Sequence, residues 1–149
     1  MLGNIFISRE GFPLVPPQCT SIVTKGIGVN SSDTLTTLEH EFEQLDLWNK
    51  DITYIKMDIE GNELEILPNW IESGILKRVK QIGVEFHNVN SERVESYWNI
   101  IEGLYEQGFR LMTYDPNLAV NSVRAEGKIS DSFVHTVHEV TFRKNAYTC

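Results

Sequence analysis

Carboxylate and imidazole side chains with the spacing of a possible catalytic site occur in two short segments. Asp58 and Glu60 lie two residues apart and are followed directly by Gly61, and Glu85 and His87 have the same spacing. In an extended strand, residues two apart point to the same face, about 6.6 Å from each other. A histidine beside carboxylates can act as a general base near neutral pH, so these four side chains are candidate catalytic residues.

Each segment closes an apolar run of the kind that forms a buried strand. The runs extend from Asp51 to Ile59 and from Val79 to Phe86, and the first shows so little polar alternation that we expect it to be covered on both faces. Ligands bind at the carboxyl ends of strands in open parallel sheets. Parallel neighbours would therefore bring both polar segments to one edge, and Gly61 would allow a sharp turn into a helix with free amide groups.

Less specialised roles are also open for the same residues. Asp58 and Glu60 could cap the following helix and pair with Lys56, and His87 could be a loop histidine bonded to backbone. Hard cations prefer oxygen ligands, so a divalent metal is a further hypothesis. Two carboxylates are too few to define its ligands, and the sequence therefore assigns no metal site.

The charge distribution argues against a nucleic-acid-binding protein. The net charge is −8, and the segment from Asp33 to Glu65, with ten acidic and two basic residues, accounts for all of it. Phosphate contacts need clustered Lys and Arg, which this distribution does not offer. Part of the acidic block, Glu39 to Asp46, belongs to the solvent face of a helix whose apolar residues include Leu38 and Phe42.

Apolar runs and amphipathic segments alternate along the chain, which predicts an α/β layered fold. A capping-box pattern starts the first helix at Thr36. The expected elements are, in order, a strand over Cys19–Val29, a helix around Leu35–Leu45, a strand over Asp51–Ile59, a helix over Asn62–Leu67 that ends or restarts at Pro68, a strand over Val79–Phe86, a helix capped by Ser91, a strand over Phe109–Tyr114, a loop over Asp115–Asp131 and a strand over Val134–Phe142.

Two motifs resemble the FkbM-type methyltransferases, and especially the animal methyltransferase-like branch of that group. They are Y-I-K-M-D-I-E-G-N-E at Tyr54–Glu63 and V-K-Q-I-G-V-E-F-H at Val79–His87, and the resemblance extends over about Thr20 to Arg143. It implies a Rossmann-like class I fold that binds S-adenosylmethionine, with a seven-stranded sheet in the order 3-2-1-4-5-7-6.

The resemblance also implies roles for the polar residues named above. Asp58 and Gly61 would bind the cofactor, and Asp58, Glu60, Glu85 and His87 would form the catalytic site. Asp58 or His87 would be the base, and the complete domain would transfer a methyl group to oxygen or nitrogen. The resemblance leaves the identity of the methyl acceptor open.

Matched to that fold, the chain would supply strands three to seven of a truncated domain. Residues 1–19 are expected to be an irregular N-terminal segment without a glycine-rich cofactor loop, and residues 20–149 to be the C-terminal part of the domain. The fourth strand would then have an unpaired edge. Cofactor binding and activity of this chain are expected to be weak or absent.

Two other functions compete with a methyltransferase. One is a non-catalytic α/β interaction module, whose exposed strand edge or acidic helix would meet a partner chain. The other is a metal-dependent hydrolase that uses Asp58 and Glu60. The sequence has no apolar run of about 20 residues that could cross a bilayer and no signal-peptide pattern, and it leaves the compartment open.

Overall fold

A computed structural model describes residues 4–9, 26–87, 93–116, 122–124, 133–135 and 137–144 of the chain. The described part of the chain includes a short 3₁₀ turn at Ile75–Arg78. The described strands are β1 (Asn4–Arg9), β2 (Gly26–Ile27), β3 (Leu35–Thr36), β4 (Ile52–Asp58), β5 (Gln81–His87), β6 (Phe109–Pro116), β7 (Ser122–Arg124), β8 (Phe133–His135) and β9 (Val137–Lys144). The described helices are α1 (Leu38–Gln44), α2 (Glu63–Ser73) and α3 (Val94–Glu106).

Five of the strands form one mixed sheet in the order β1-β4-β5-β9-β6. β4 and β5 are parallel, whereas β9 runs antiparallel to both of its neighbours and β1 runs antiparallel to β4. Two small sheets pair β2 with β3 and β7 with β8. This mixed α/β architecture is compatible with the methyltransferase fold that the resemblance implies.

The two faces of the central strands differ in polarity. One face of β4 and β5 is predominantly apolar and packs into the hydrophobic core with the helices. The other face carries Tyr54 and Lys56, which are only half-buried, so the prediction that β4 is covered on both faces is wrong. Buried core residues on the two strands and on the helices are Ile52, Ile55, Met57, Ile82, Val84, Phe86, Leu38, Phe42, Ile66, Leu67, Trp70, Tyr97, Ile100 and Leu104.

The first two helices differ in their ends from the sequence prediction. Thr37, rather than Thr36, caps α1 by accepting a hydrogen bond from the His40 amide at 3.1 Å. α2 continues through Pro68 because the apolar residues on both sides of the proline are buried, and this burial outweighs the lost backbone hydrogen bond. Within the described ranges, no helix is long and apolar enough to span a membrane.

The N-terminal segment contains a strand that the sequence did not predict. Asn4–Arg9 pairs antiparallel along β4, with Asn4 opposite Asp58 and Ile7 opposite Ile55. The predicted fourth strand corresponds to β4, and the expectation that it has an unpaired edge is therefore wrong. A strand edge presents unsatisfied amide and carbonyl groups, and β1 satisfies them on β4. A partner strand would have to meet the outer edge of β1 or of β6 instead, since these end the described sheet.

Two further predicted elements have different bounds. Of the strand expected over Cys19–Val29, only Gly26–Ile27 is a strand in the described part of the chain. Residues 19–25 and the expected helix cap Ser91 lie outside the described residues. The loop expected over Asp115–Asp131 contains β7, which pairs with β8. Its three residues Ser-Val-Arg are too short to produce a periodic signal. The final strand is divided into β8 and β9.

We predict that Gly83→Ala destabilises the protein by about 1–3 kcal/mol through overpacking. Gly83 pairs with Lys56 across β4 and β5, and the ring of Tyr54 lies over it. A Cβ atom at Gly83 would lie 3.0 Å from Cζ of Tyr54 and still closer to the hydroxyl oxygen. Urea denaturation measures the change in the free energy of unfolding.

The matched control is the same substitution in a Tyr54→Leu background, where the ring is absent. The cost of Gly83→Ala should then fall to a small fraction of its value in the wild type. An equal cost in both backgrounds would contradict the overpacking explanation.

Candidate functional site

A tight backbone turn joins the end of β4 to α2. Glu60 has a φ of 56° and Gly61 a φ of 105°. Gly61 adopts its conformation without penalty, whereas a left-handed Glu costs about 1–2 kcal/mol. The Asn62 side chain steadies the turn by donating to the Ile59 carbonyl at 3.2 Å. Glu60, which carries one of the predicted catalytic carboxylates, is therefore the strained residue of this turn. Backbone strain of this kind concentrates at functional sites.

Glu63, in the first turn of α2, is completely buried. Its Oε1 accepts a hydrogen bond from the Gly61 amide at 3.1 Å and lies 2.9 Å from Nδ1 of His87. A carboxylate can only accept, so the Nδ1 atom of His87 carries a proton. Glu63 thereby joins the turn after β4 to the end of β5.

The other ring nitrogen of His87 faces the two carboxylates predicted from the sequence. Nε2 lies 3.7 Å from Oδ1 of Asp58 and 3.8 Å from Oε2 of Glu60. Both distances exceed the length of a hydrogen bond. Within the described residues, Oδ1 of Asp58 is inaccessible to solvent and has no hydrogen-bond partner. The three side chains thus converge on one point without satisfying each other.

Tyr97 of α3 anchors the same end of β5. Its hydroxyl donates to the backbone carbonyl of His87, and its ring packs edge-on against Phe86 with 5.0 Å between the centroids. Burial, and then the negative charge of Glu63, raise the pKa of Tyr97 above its ordinary value. The phenol therefore stays protonated and keeps donating over the physiological range.

Opposing effects act on the pKa of His87. Burial lowers it, but the hydrogen bond to Glu63 and the charges of Glu63, Glu85 and Glu60 outweigh burial and raise the pKa above its ordinary value of 6.5. The surroundings therefore favour the imidazolium form. A proton on this ring is therefore held more tightly than on an unperturbed histidine.

The remaining charged residues of this sheet face form a second group. Lys56 makes an ion pair with Glu139 of β9, rather than with Asp58 or Glu60 as the capping hypothesis required. Glu85 lies opposite Glu139 in the ladder, and its charge helps to raise the pKa of both His87 and Lys56. Glu85 therefore contributes to the field at the site but is not one of the three side chains that meet at Nε2.

The structure therefore brings together three of the four predicted catalytic side chains, Asp58, Glu60 and His87, and Gly61 supplies the turn beside them. Their catalytic roles stay predictions. The contact of Glu63 with His87 was not predicted, because it joins residues 24 positions apart in the chain and leaves no local sequence signal. Tyr97 was missed because the helical periodicity explains it fully as a core residue.

The mixed α/β architecture is compatible with an α/β methyltransferase fold. The sequence profile described as the methyltransferase FkbM domain matches residues 20–111. The match covers more than half of the chain, and the protein belongs to the FkbM methyltransferase family. No curated protein and no solved structure matches the chain.

We predict that His87 stabilises the fold in a pH-dependent way. Because its pKa is raised in the folded protein, the contribution is complete below the ordinary value and is lost as pH rises through the folded-state pKa. The free energy of unfolding of the wild type, relative to a His87→Gln variant, should therefore fall over this window. Urea denaturation in EDTA-containing buffer measures it.

His40→Gln is the matched control for this experiment, since His40 is exposed on α1. Its difference from the wild type should vary less with pH than that of His87→Gln. A His87→Gln difference that stayed constant across the window would contradict the prediction.

We further predict that Glu63→Gln lowers the pKa of His87. The substitution removes the negative charge and weakens the hydrogen bond that together favour the imidazolium. An NMR titration of the histidine ring signals measures the pKa. Glu65→Gln removes the same charge from an exposed position of α2, and a comparable decrease there would show that the effect is not specific to Glu63.

Proposed function

We propose that the group formed by Asp58, Glu60 and His87 is the site of a methyltransferase that uses S-adenosylmethionine to methylate oxygen or nitrogen. One observation carries the proposal. In a chain of the FkbM family, these side chains converge at the carboxyl ends of two parallel strands. Ligands of open α/β sheets bind at such ends.

The strand order supports a more detailed correspondence. We assign β4, β5, β6 and β9 to strands four, five, six and seven of the class I fold. The observed order β4-β5-β9-β6, with β9 antiparallel to both neighbours, agrees with this assignment. The position beside strand four, which the resemblance gives to the first parallel strand, is taken by antiparallel β1.

The residues at the site fit the proposed cofactor in charge. S-adenosylmethionine supplies an electrophilic methyl group on a sulfonium ion. Asp58 and Glu60 provide two carboxylates for a cationic ligand, and the buried Oδ1 of Asp58 lacks a hydrogen-bond partner among the described residues. Gly61 adds an open backbone turn without a side chain. We therefore assign Asp58 and Gly61 to cofactor binding.

His87 is the base in this proposal. With Nδ1 bonded to Glu63, Nε2 is the atom that can accept a proton from the acceptor hydroxyl or amine. The imidazolium that forms is stabilised by the buried carboxylate of Glu63 behind it. Glu63 is thus a positioning residue, since it acts through His87. Glu85 adds negative charge from the same strand.

The affinity of this chain for the cofactor should be low. In the class I fold, the strand beside strand four leads into the glycine-rich loop that holds the amino-acid part of S-adenosylmethionine. β1 occupies this place in the opposite direction. The proposed site therefore provides contacts to the methyl-donor end, and the chain corresponds to the C-terminal part of the domain.

We predict that S-adenosylmethionine at millimolar concentration shifts the backbone amide signals of Asp58 to Glu63, without saturation in the micromolar range. A series of ¹H–¹⁵N NMR spectra measures the shifts. Asp58→Asn should abolish them because it removes a carboxylate of the site, whereas Asp33→Asn, a matched change at an exposed residue, should leave them unchanged.

Two results would contradict the proposal in different ways. Saturation at micromolar cofactor would refute the low affinity and the proposed correspondence of the chain to the C-terminal part of the domain. Shifts that avoid the turn after β4, or that survive in Asp58→Asn, would refute the assignment of the site.

A further inference from the structure

Three potential metal ligands meet at the end of β4 and β5. They are Oδ1 of Asp58, Oε2 of Glu60 and Nε2 of His87, and suitable atoms of these residues all lie within 4.8 Å of one another. The sequence offered only two carboxylates for a metal. The fold adds an imidazole from a different strand, and its free nitrogen points to both of them.

The imidazole is held in the manner of a metal ligand. Histidines that bind metals almost always donate their other ring N–H to a carboxylate, carbonyl or water, which fixes the tautomer and the ring orientation. Here Nδ1–H of His87 donates to the completely buried carboxylate of Glu63, with a separation of 2.9 Å. Glu63 lies outside the three-ligand group and provides an independent indication of its chemistry.

The spacing is slightly too wide for direct contacts and close to that of a coordination sphere. Metal–ligand distances of about 2.1 Å put neighbouring ligand atoms about 3.0–3.5 Å apart. The separations from Nε2 are 3.7 Å and 3.8 Å. Each separation from Nε2 would have to shorten by a few tenths of an ångström, and the two carboxylates, which lie within 4.8 Å of each other, would also have to approach. Rotation of the exposed Glu60 side chain can supply its part of this closure. The solvent-inaccessible Oδ1 of Asp58, unpartnered among the described residues, would gain the contact that it lacks.

We propose that Asp58, Glu60 and His87 bind a divalent transition-metal ion. Two carboxylates and one neutral imidazole carry two negative charges, which a dication balances. The nitrogen ligand favours Zn²⁺ over Ca²⁺ and Mg²⁺, which prefer oxygen alone, and the two carboxylates also suit Mn²⁺. This inference goes beyond the proposed function, because it depends on the geometry of the three side chains and on no property of S-adenosylmethionine. A metal-bound Nε2 cannot also accept a proton, so the metal-bound state is distinct from the state in which His87 acts as the base.

The test is an EPR titration of the purified chain with Mn²⁺ at mildly alkaline pH, without S-adenosylmethionine. We expect saturable binding to one site. Glu63→Gln, which changes only the group behind the imidazole, should weaken it by about 10- to 100-fold. Asp58→Asn and His87→Ala should weaken it further, because each removes a ligand. Circular dichroism establishes that each variant is folded.

Glu65→Gln is the matched control, since it removes one negative charge from an exposed position of α2. The Mn²⁺ affinity of Glu65→Gln should stay within about threefold of the wild type, because an exposed charge outside the ligand group acts only through screened electrostatics. A decrease equal to that of Asp58→Asn would overturn the proposal and indicate diffuse attraction to the acidic surface.

A measurement on the wild type alone keeps the proposal testable if a variant does not fold. Substoichiometric Mn²⁺ should broaden the ring signals of His87 in NMR spectra before those of the exposed His40. Absence of saturable binding, or equal broadening of both rings, would overturn the metal site. Because no cofactor is added, the result is separate from success or failure of the S-adenosylmethionine titration.

Discussion

The site depends on one buried carboxylate. Glu63 is completely excluded from solvent, and a charge in such a place must be satisfied by hydrogen bonds. Its Oε1 takes them from the Gly61 amide and the His87 ring, whereas its buried Oε2 has no hydrogen-bond partner among the described residues. These two groups belong to the ends of different strands, so the same interaction that compensates the charge fixes the turn after β4 against β5. The orientation of His87, and hence the convergence with Asp58 and Glu60, follows from it.

The sheet supports this arrangement through its two unlike faces. Apolar side chains of β4 and β5 fill the core with α2 and α3, and α3 sends Tyr97 to the carbonyl of His87. The opposite face carries polar groups, among them the pair of Lys56 and Glu139. The rigid apolar side thus determines the backbone positions, and the polar side presents the chemistry. This division explains how a small half-covered sheet can hold charged side chains in defined places.

Part of this structure follows directly from sequence patterns. The two-residue period of extended strands and the expected parallel arrangement of β4 and β5 indicated that Asp58, Glu60, Glu85 and His87 would meet, and three of them do, Glu85 being the exception. Contacts between distant segments could not be found in this way. The partner of Lys56 lies 83 residues away and depends on the insertion of β9 beside β5. The pairing of β1 with β4 likewise depends on an available edge and not on any periodic signal in its six residues.

The position of β9 also determines the order in which the sheet can be built. Although it comes last among the sheet strands in the chain, it lies between β5 and β6 and pairs with both. A ribosome therefore releases β5 and β6 before the strand that separates them exists. Until then the nascent chain carries two open edges that can pair wrongly with each other or with neighbouring chains. Completion of the sheet is consequently a late event in biosynthesis.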